Sequence, residues 1–78
     1  MIMLNNIIQK NDVIELEVQT ESFLDSPWYR MAYYFKTGKY RCSIKNPEPL
    51  DINKIIYRLS SYLKRNVKLP SKDVIIWY

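Results

Sequence analysis

The 78-residue chain has no histidine, a single cysteine and a single glycine, and each scarcity closes off a class of chemistry. Without His there is no ordinary general base at neutral pH and no usual partner to activate a serine nucleophile. One cysteine builds no disulfide framework, and without His it builds none of the usual zinc sites. One glycine is too few for the glycine-rich loops that cradle phosphates. No apolar run approaches the roughly 18 to 20 residues of a bilayer span, and Met1-Ile2-Met3-Leu4 gives way at once to Asn5-Asn6, too short for the core of a signal peptide. The chain therefore reads as cytoplasmic, with Cys42 a small buried hydrophobe in an alternating apolar run. No cofactor is implied.

What remains is 47% apolar and 26% charged, with seven Tyr and two Trp, and it makes one domain over residues 1–78. So short a chain buries only about 60 to 65% of the surface its unfolded form exposes, so its core must be well made. Net charge is +4, unevenly spread. Residues 28–47 hold Arg30, Lys36, Lys39, Arg41 and Lys45 with no acid, and residues 52–72 hold Lys54, Arg58, Lys64, Arg65, Lys68 and Lys72, again with none. Asp12, Glu15, Glu17, Glu21 and Asp25 precede both basic runs.

Spacing of Met3, Leu4, Ile7 and Ile8 predicts a short helix, with a hairpin turning at Lys10-Asn11-Asp12 as the alternative. Alternation over 13–20 predicts a half-buried strand with Ile14, Leu16, Val18 and Thr20 on one side. Residues 22–27 connect it to two more alternating runs, Trp28 to Lys36 and Lys39 to Lys45. A two-residue Thr37-Gly38 turn would pair Lys36 with Lys39, Tyr34 with Arg41, Ala32 with Ser43 and Arg30 with Lys45. The other face would carry Tyr29, Met31, Tyr33 and Phe35 opposite Tyr40, Cys42 and Ile44 as core. A register change of an even number of residues would keep these faces. Asp51 is the predicted N-cap of a helix, with Leu50 stapled onto Ile55 and an apolar stripe of Ile52, Ile55, Ile56, Leu59, Tyr62, Leu63 and Val67. The stretch 68–73, with Pro70, ends it. Val74 to Tyr78 reads as a last strand, apolar enough that it should pair within the sheet or across a dimer interface.

The expected fold is α+β, of order (α)-β-β-β-α-β: a small antiparallel sheet of about four strands with one major helix on one face. The order α-β-β-β-α resembles that of double-stranded RNA-binding domains, but their loop His and the Lys-Lys-rich start of their second helix are absent.

Function then turns on the charges. Arg30, Tyr34, Lys36, Lys39, Arg41 and Lys45 share one strand face, and Lys54, Arg58, Ser61 and Arg65 form a stripe at i, i+4, i+7 and i+11 on the helix. Cations around aromatic rings suit nucleic acid, whose phosphates release counterions on neutralisation and whose bases stack. The alternatives are structural: Glu15 and Glu17 pairing across the sheet with Arg30 or Arg41, and Lys64, Arg65 and Lys68 complementing the helix dipole. If the helix covers the apolar face, its outer stripe points away from the basic strands, so one small ligand cannot touch both. Glu15 and Glu17 as a divalent-metal pair, and Arg30, Tyr34 and Arg41 as a metal-free ribonuclease cluster, are the enzymatic readings, and neither is singled out. The expectation is a non-enzymatic nucleic-acid-binding module, RNA favoured over DNA, with a homo-oligomer in view. The alternative is a protein-binding inhibitor using the same aromatic and cationic surface. In its Asn, Ile, Lys and Tyr content the chain looks like small phage-encoded counter-defence inhibitors and antitoxins. That resemblance implies a host factor or nucleoprotein as partner.

Overall fold

The computed structural model describes residues 1–20 and 27–76 of the chain. The expected connection before Pro27 and the Trp77-Tyr78 end of the expected last strand lie outside the described residues. Among the described residues five strands, β1 (Ile2–Lys10), β2 (Val13–Thr20), β3 (Tyr29–Tyr34), β4 (Lys39–Cys42) and β5 (Asp73–Ile75), accompany one helix, α1 (Pro49–Lys64). They form one antiparallel sheet in the order β4-β3-β2-β1-β5, an α+β fold with one strand more than expected.

The extra strand is β1, where spacing had pointed to a helix. It pairs with β2 from Ile2↔Thr20 to Lys10↔Val13, with a bulge between Asn5 and Ile8. Asn6 within the bulge has φ 50°, a left-handed conformation that Asn tolerates better than most residues. Before the bulge Ile2 and Leu4 face the core; after it the parity switches, so Ile7 is buried and Ile8 is exposed. The three-residue step from Leu4 to Ile7 is thus a bulged strand, not a helical turn. Asn11, at φ 53°, supplies the positive φ for the tight turn into β2, so the hairpin alternative holds.

β2 follows the predicted alternation, with Ile14, Leu16 and Val18 buried. The β3–β4 hairpin differs by two residues in register, pairing Tyr34 with Lys39, Ala32 with Arg41 and Met31 with Cys42 around a four-residue loop, 35–38. The amides of Thr37 and Gly38 both donate to the Tyr34 carbonyl, at 3.2 and 2.9 Å, and Gly38 takes φ 77°. Both faces survive because the shift is even. The expected opposition of Lys36 to Lys39 and of Arg30 to Lys45 does not occur, which relieves the like-charge contact that the two-residue turn imposed. Tyr40 and Ile44, expected in the core, are exposed, because β4 is an edge strand that ends at Cys42.

The helix starts earlier than the sequence suggested. Glu48 is the N-cap residue, with no side-chain cap, and Pro49 occupies the first turn, where its missing N–H costs no hydrogen bond. Asp51 therefore lies inside the first turn, and Leu50 is exposed rather than stapled onto Ile55. Asn66 at φ 54° follows the C-terminal end, so Val67 falls outside the helix and is exposed. Ile52, Ile55 and Leu59 press onto a sheet face made of Ile2, Leu4, Ile7, Ile14, Leu16, Val18, Tyr29, Met31, Tyr33 and Ile75, with Ile56, Leu63, Phe35 and Cys42 packed at its margin. Tyr33 and Ser60 hydroxyls, 3.3 Å apart, join helix to sheet.

Among the described residues the short β5 pairs with Ile2 to Leu4 of β1, and it is held from the helix side. The Asp73 carboxylate takes Arg58 Nη1 at 3.1 and 3.3 Å, the Tyr62 hydroxyl at 2.7 Å and the Val74 amide at 2.8 Å. The hydrogen bond to Asp73 pushes the Tyr62 phenol above its ordinary range.

Burial pushes the Tyr29 phenol up from 10.0 to about 12, with Cys42 and Asp51 adding in the same direction. Below pH 10 the ring is neutral in both folded and unfolded chain, and between about 10 and 12 only the unfolded chain ionises. Stability is therefore expected to fall as pH rises through that window, by up to about 2 to 3 kcal/mol. Urea midpoints at rising alkaline pH should decline less steeply for Tyr29→Phe than for the parent chain; parallel declines would mean that other groups dominate.

Candidate nucleic-acid interface

The helix covers one face of the sheet, so the residues between the core positions define the other. By register, Glu15 and Glu17 of β2, Arg30, Ala32 and Tyr34 of β3, and Lys39 and Arg41 of β4 share that open face. Exchanged bonds carry the β3–β4 pairing one step further: the Ser43 amide donates to the Arg30 carbonyl and the Arg30 amide to Ser43 Oγ, each at 3.0 Å. Lys45 lies exposed beyond that point.

Of the six sheet residues singled out from sequence, the fold brings Arg30, Tyr34, Lys39 and Arg41 together on adjacent strands, with Tyr34 half-buried between exposed cations. Among the described residues, no carboxylate lies within ion-pair distance of Arg30, Lys39, Arg41 or Lys45. Lys36 sits in the loop instead, its Nζ 3.3 Å from the Asp12 carboxylate in the β1–β2 turn. Neither Glu15 nor Glu17 makes a direct ion pair with Arg30 or Arg41, although Glu17 stands opposite Arg30 in the register. Glu15 meets Lys10 at 3.2 Å, and Glu17 accepts a hydrogen bond from the Asn6 side chain.

The helix stripe does not act as a unit. Arg58 is committed to Asp73, and its position half out of solvent marks a part of the fold. Arg65 folds back, its Nε 3.4 Å from the Ser61 carbonyl and its guanidinium 5.4 Å from the centre of the Tyr62 ring. Lys54 lines a groove of about 310 Å³ with Leu50, Asn53, Tyr57, Arg58 and Ile75. The sheet and helix patches lie on opposite sides of the domain.

Sequence reading missed the β1 contribution to the open face. Asn6, Lys10, Glu15, Leu16, Glu17 and Arg30 line a second hollow, of about 320 Å³, beside the basic strip. The signal was the alternation of Asn6, Ile8 and Lys10 with Ile7, which only a strand makes meaningful. Across from Glu17, the Asn5 Oδ1 is buried without a hydrogen-bond partner. No helix among the described residues is long and apolar enough to cross a membrane. Comparison with protein-family models, curated proteins and solved structures finds no match, so the chemistry of this face carries the functional argument alone.

Proposed function

We propose that the chain is a non-enzymatic nucleic-acid-binding module of the cytoplasm, RNA favoured, which takes the polyanion along the β3–β4 half of its open face. The observation that carries this reading is that Arg30, Lys39 and Arg41 share the open face of β3 and β4, with Tyr34 opposite Lys39, and none of the three cations has a carboxylate ion-pair partner among the described residues. Unpaired cations on one face repel one another, and phosphates turn that repulsion into attraction by releasing counterions. The half-buried Tyr34 ring offers a stacking surface that any base can use. Lys36, Lys54, Arg58 and Arg65 have other engagements in the fold and stand as secondary contacts.

Fluorescence anisotropy with mixed-sequence single-stranded RNA, the matching DNA and a duplex tests this directly. With Arg30, Lys39, Arg41 and Lys45 engaged, the log–log slope of affinity against salt is expected near −0.7 for each, or about −2 to −3 in all. Lys39→Ser with Arg41→Ser should flatten the slope by about 1.4 and leave the melting temperature unchanged or raised. Salt-independent binding, or none, removes the proposal, and a large loss of stability would assign these residues to the fold. A second reading, a protein-binding inhibitor acting within a host complex, draws support from the groove at α1, where Leu50 and Tyr57 are 63% and 78% exposed. Its binding should resist salt.

A further inference from the structure

The hollow beside the basic strip is lined by carboxylates and cations together, Glu15 and Glu17 with Lys10 and Arg30. At about 320 Å³ it falls at the small end of ligand sites. Its two carboxylates, Glu15 and Glu17, accept hydrogen bonds only, and their spare lone pairs remain after the contacts with Lys10 and Asn6. Each has a cation beside it: Lys10 Nζ lies 3.2 Å from Glu15, and Arg30 stands directly across from Glu17. Phosphates are repelled by the carboxylates and drawn to Lys39 and Arg41, two strands away, which orients a bound strand with its backbone over β4 and its bases toward β2. Ala32, the smallest side chain on this face of β3, lies between Glu15 and Arg41 in register, so the path from β4 to the hollow crosses the least side-chain bulk there. Tyr34 flanks that path, two residues along the same strand face.

Resting on the nucleic-acid reading above, we infer that this hollow reads the Watson–Crick edge of a guanine in single-stranded RNA. Guanine places two N–H donors, N1 and N2, side by side with the O6 acceptor next to them. A carboxylate takes the two donors, and Lys10 or Arg30 donates to O6. Adenine and cytosine set a ring acceptor beside their single amino group, and uracil flanks its one N–H with two carbonyls, so each turns an acceptor toward a carboxylate. The edge is available only where the base is unpaired, which directs the site to loops and single strands.

The test uses a short uridine-rich RNA with one guanosine, and the same RNA with inosine there, which lacks only the N2 amino group. Wild-type protein is expected to bind the guanosine RNA about tenfold more tightly. In the variant carrying Glu15→Gln and Glu17→Gln the preference should vanish, because a carboxamide offers one acceptor and cannot take both donors; a preference that persists overturns the guanine site. Equal affinity of wild type for the two RNAs, with salt dependence intact, overturns the guanine site and leaves the nucleic-acid reading standing. Failure of both RNAs to bind in a salt-dependent way removes both.

Discussion

Leu59→Ala is expected to lower the free energy of unfolding by about 2 to 5 kcal/mol, and Ile55→Ala by a similar amount. Both side chains are fully buried at the centre of the helix–sheet contact, one helical turn apart, where the sheet supplies Ile2, Ile14 and Val18. Truncation forfeits the transfer of each side chain out of water and leaves a cavity that a sheet backbone cannot close by moving. A domain of this size has about 4 to 12 kcal/mol in total, so either change removes much of its margin. Ile56, only packed at the edge of the core, sets the contrast: its replacement by Ala should cost less than half as much. Urea unfolding followed by circular dichroism gives the comparison. A Leu59→Ala cost below about 1 kcal/mol would mean that α1 docks through another face.

The second large effect is expected at Asp73. Replacing it by Ala strips a partner from the Arg58 guanidinium, the Tyr62 hydroxyl and the Val74 amide at once. Hydrogen bonds to a charged group contribute about 1.5 to 3 kcal/mol, but the Arg58 side chain is 34% exposed and water can replace part of what it loses. A net cost of about 1 to 3 kcal/mol follows. Arg58→Ala should cost less, since Tyr62 and Val74 keep their acceptor. Amide exchange should quicken in β5 and in Ile2 to Leu4 of β1 well before the rest of the sheet, because those pairings hold β5 in place. Uniform exchange rates across the sheet would show that Asp73 does not latch this edge.

Alternation made β2 legible, and the faces of the β3–β4 hairpin were legible even though its turn was misjudged, since an even shift preserves parity. The helix was visible in its stripe, but its start was not: Pro49 at the first helical position outweighed the capping preference of Asp51. β1 was hidden because a bulge at Asn6 breaks the period of two that identifies a strand. The cations of the site could be placed on one face from parity alone. Their neutralisation could not, for the partner of Arg58 lies beyond an acid-free run and that of Lys36 in a turn two strands away. The hollow of Asn6, Lys10, Glu15, Glu17 and Arg30 needed β1 in the sheet before its residues became neighbours.

The position of β5 also bears on how the chain assembles. β1 to β4 follow one another in sequence and in the sheet, so each pairing closes a short loop. The contact of Ile2 with Ile75 instead joins opposite ends of the chain, closing the largest loop for only three paired residues. Such a pairing cannot lead folding; it follows once α1 has settled and brought Arg58 within reach of Asp73. During synthesis β1 therefore spends the longest time with one edge open, until β5 has emerged to cover it.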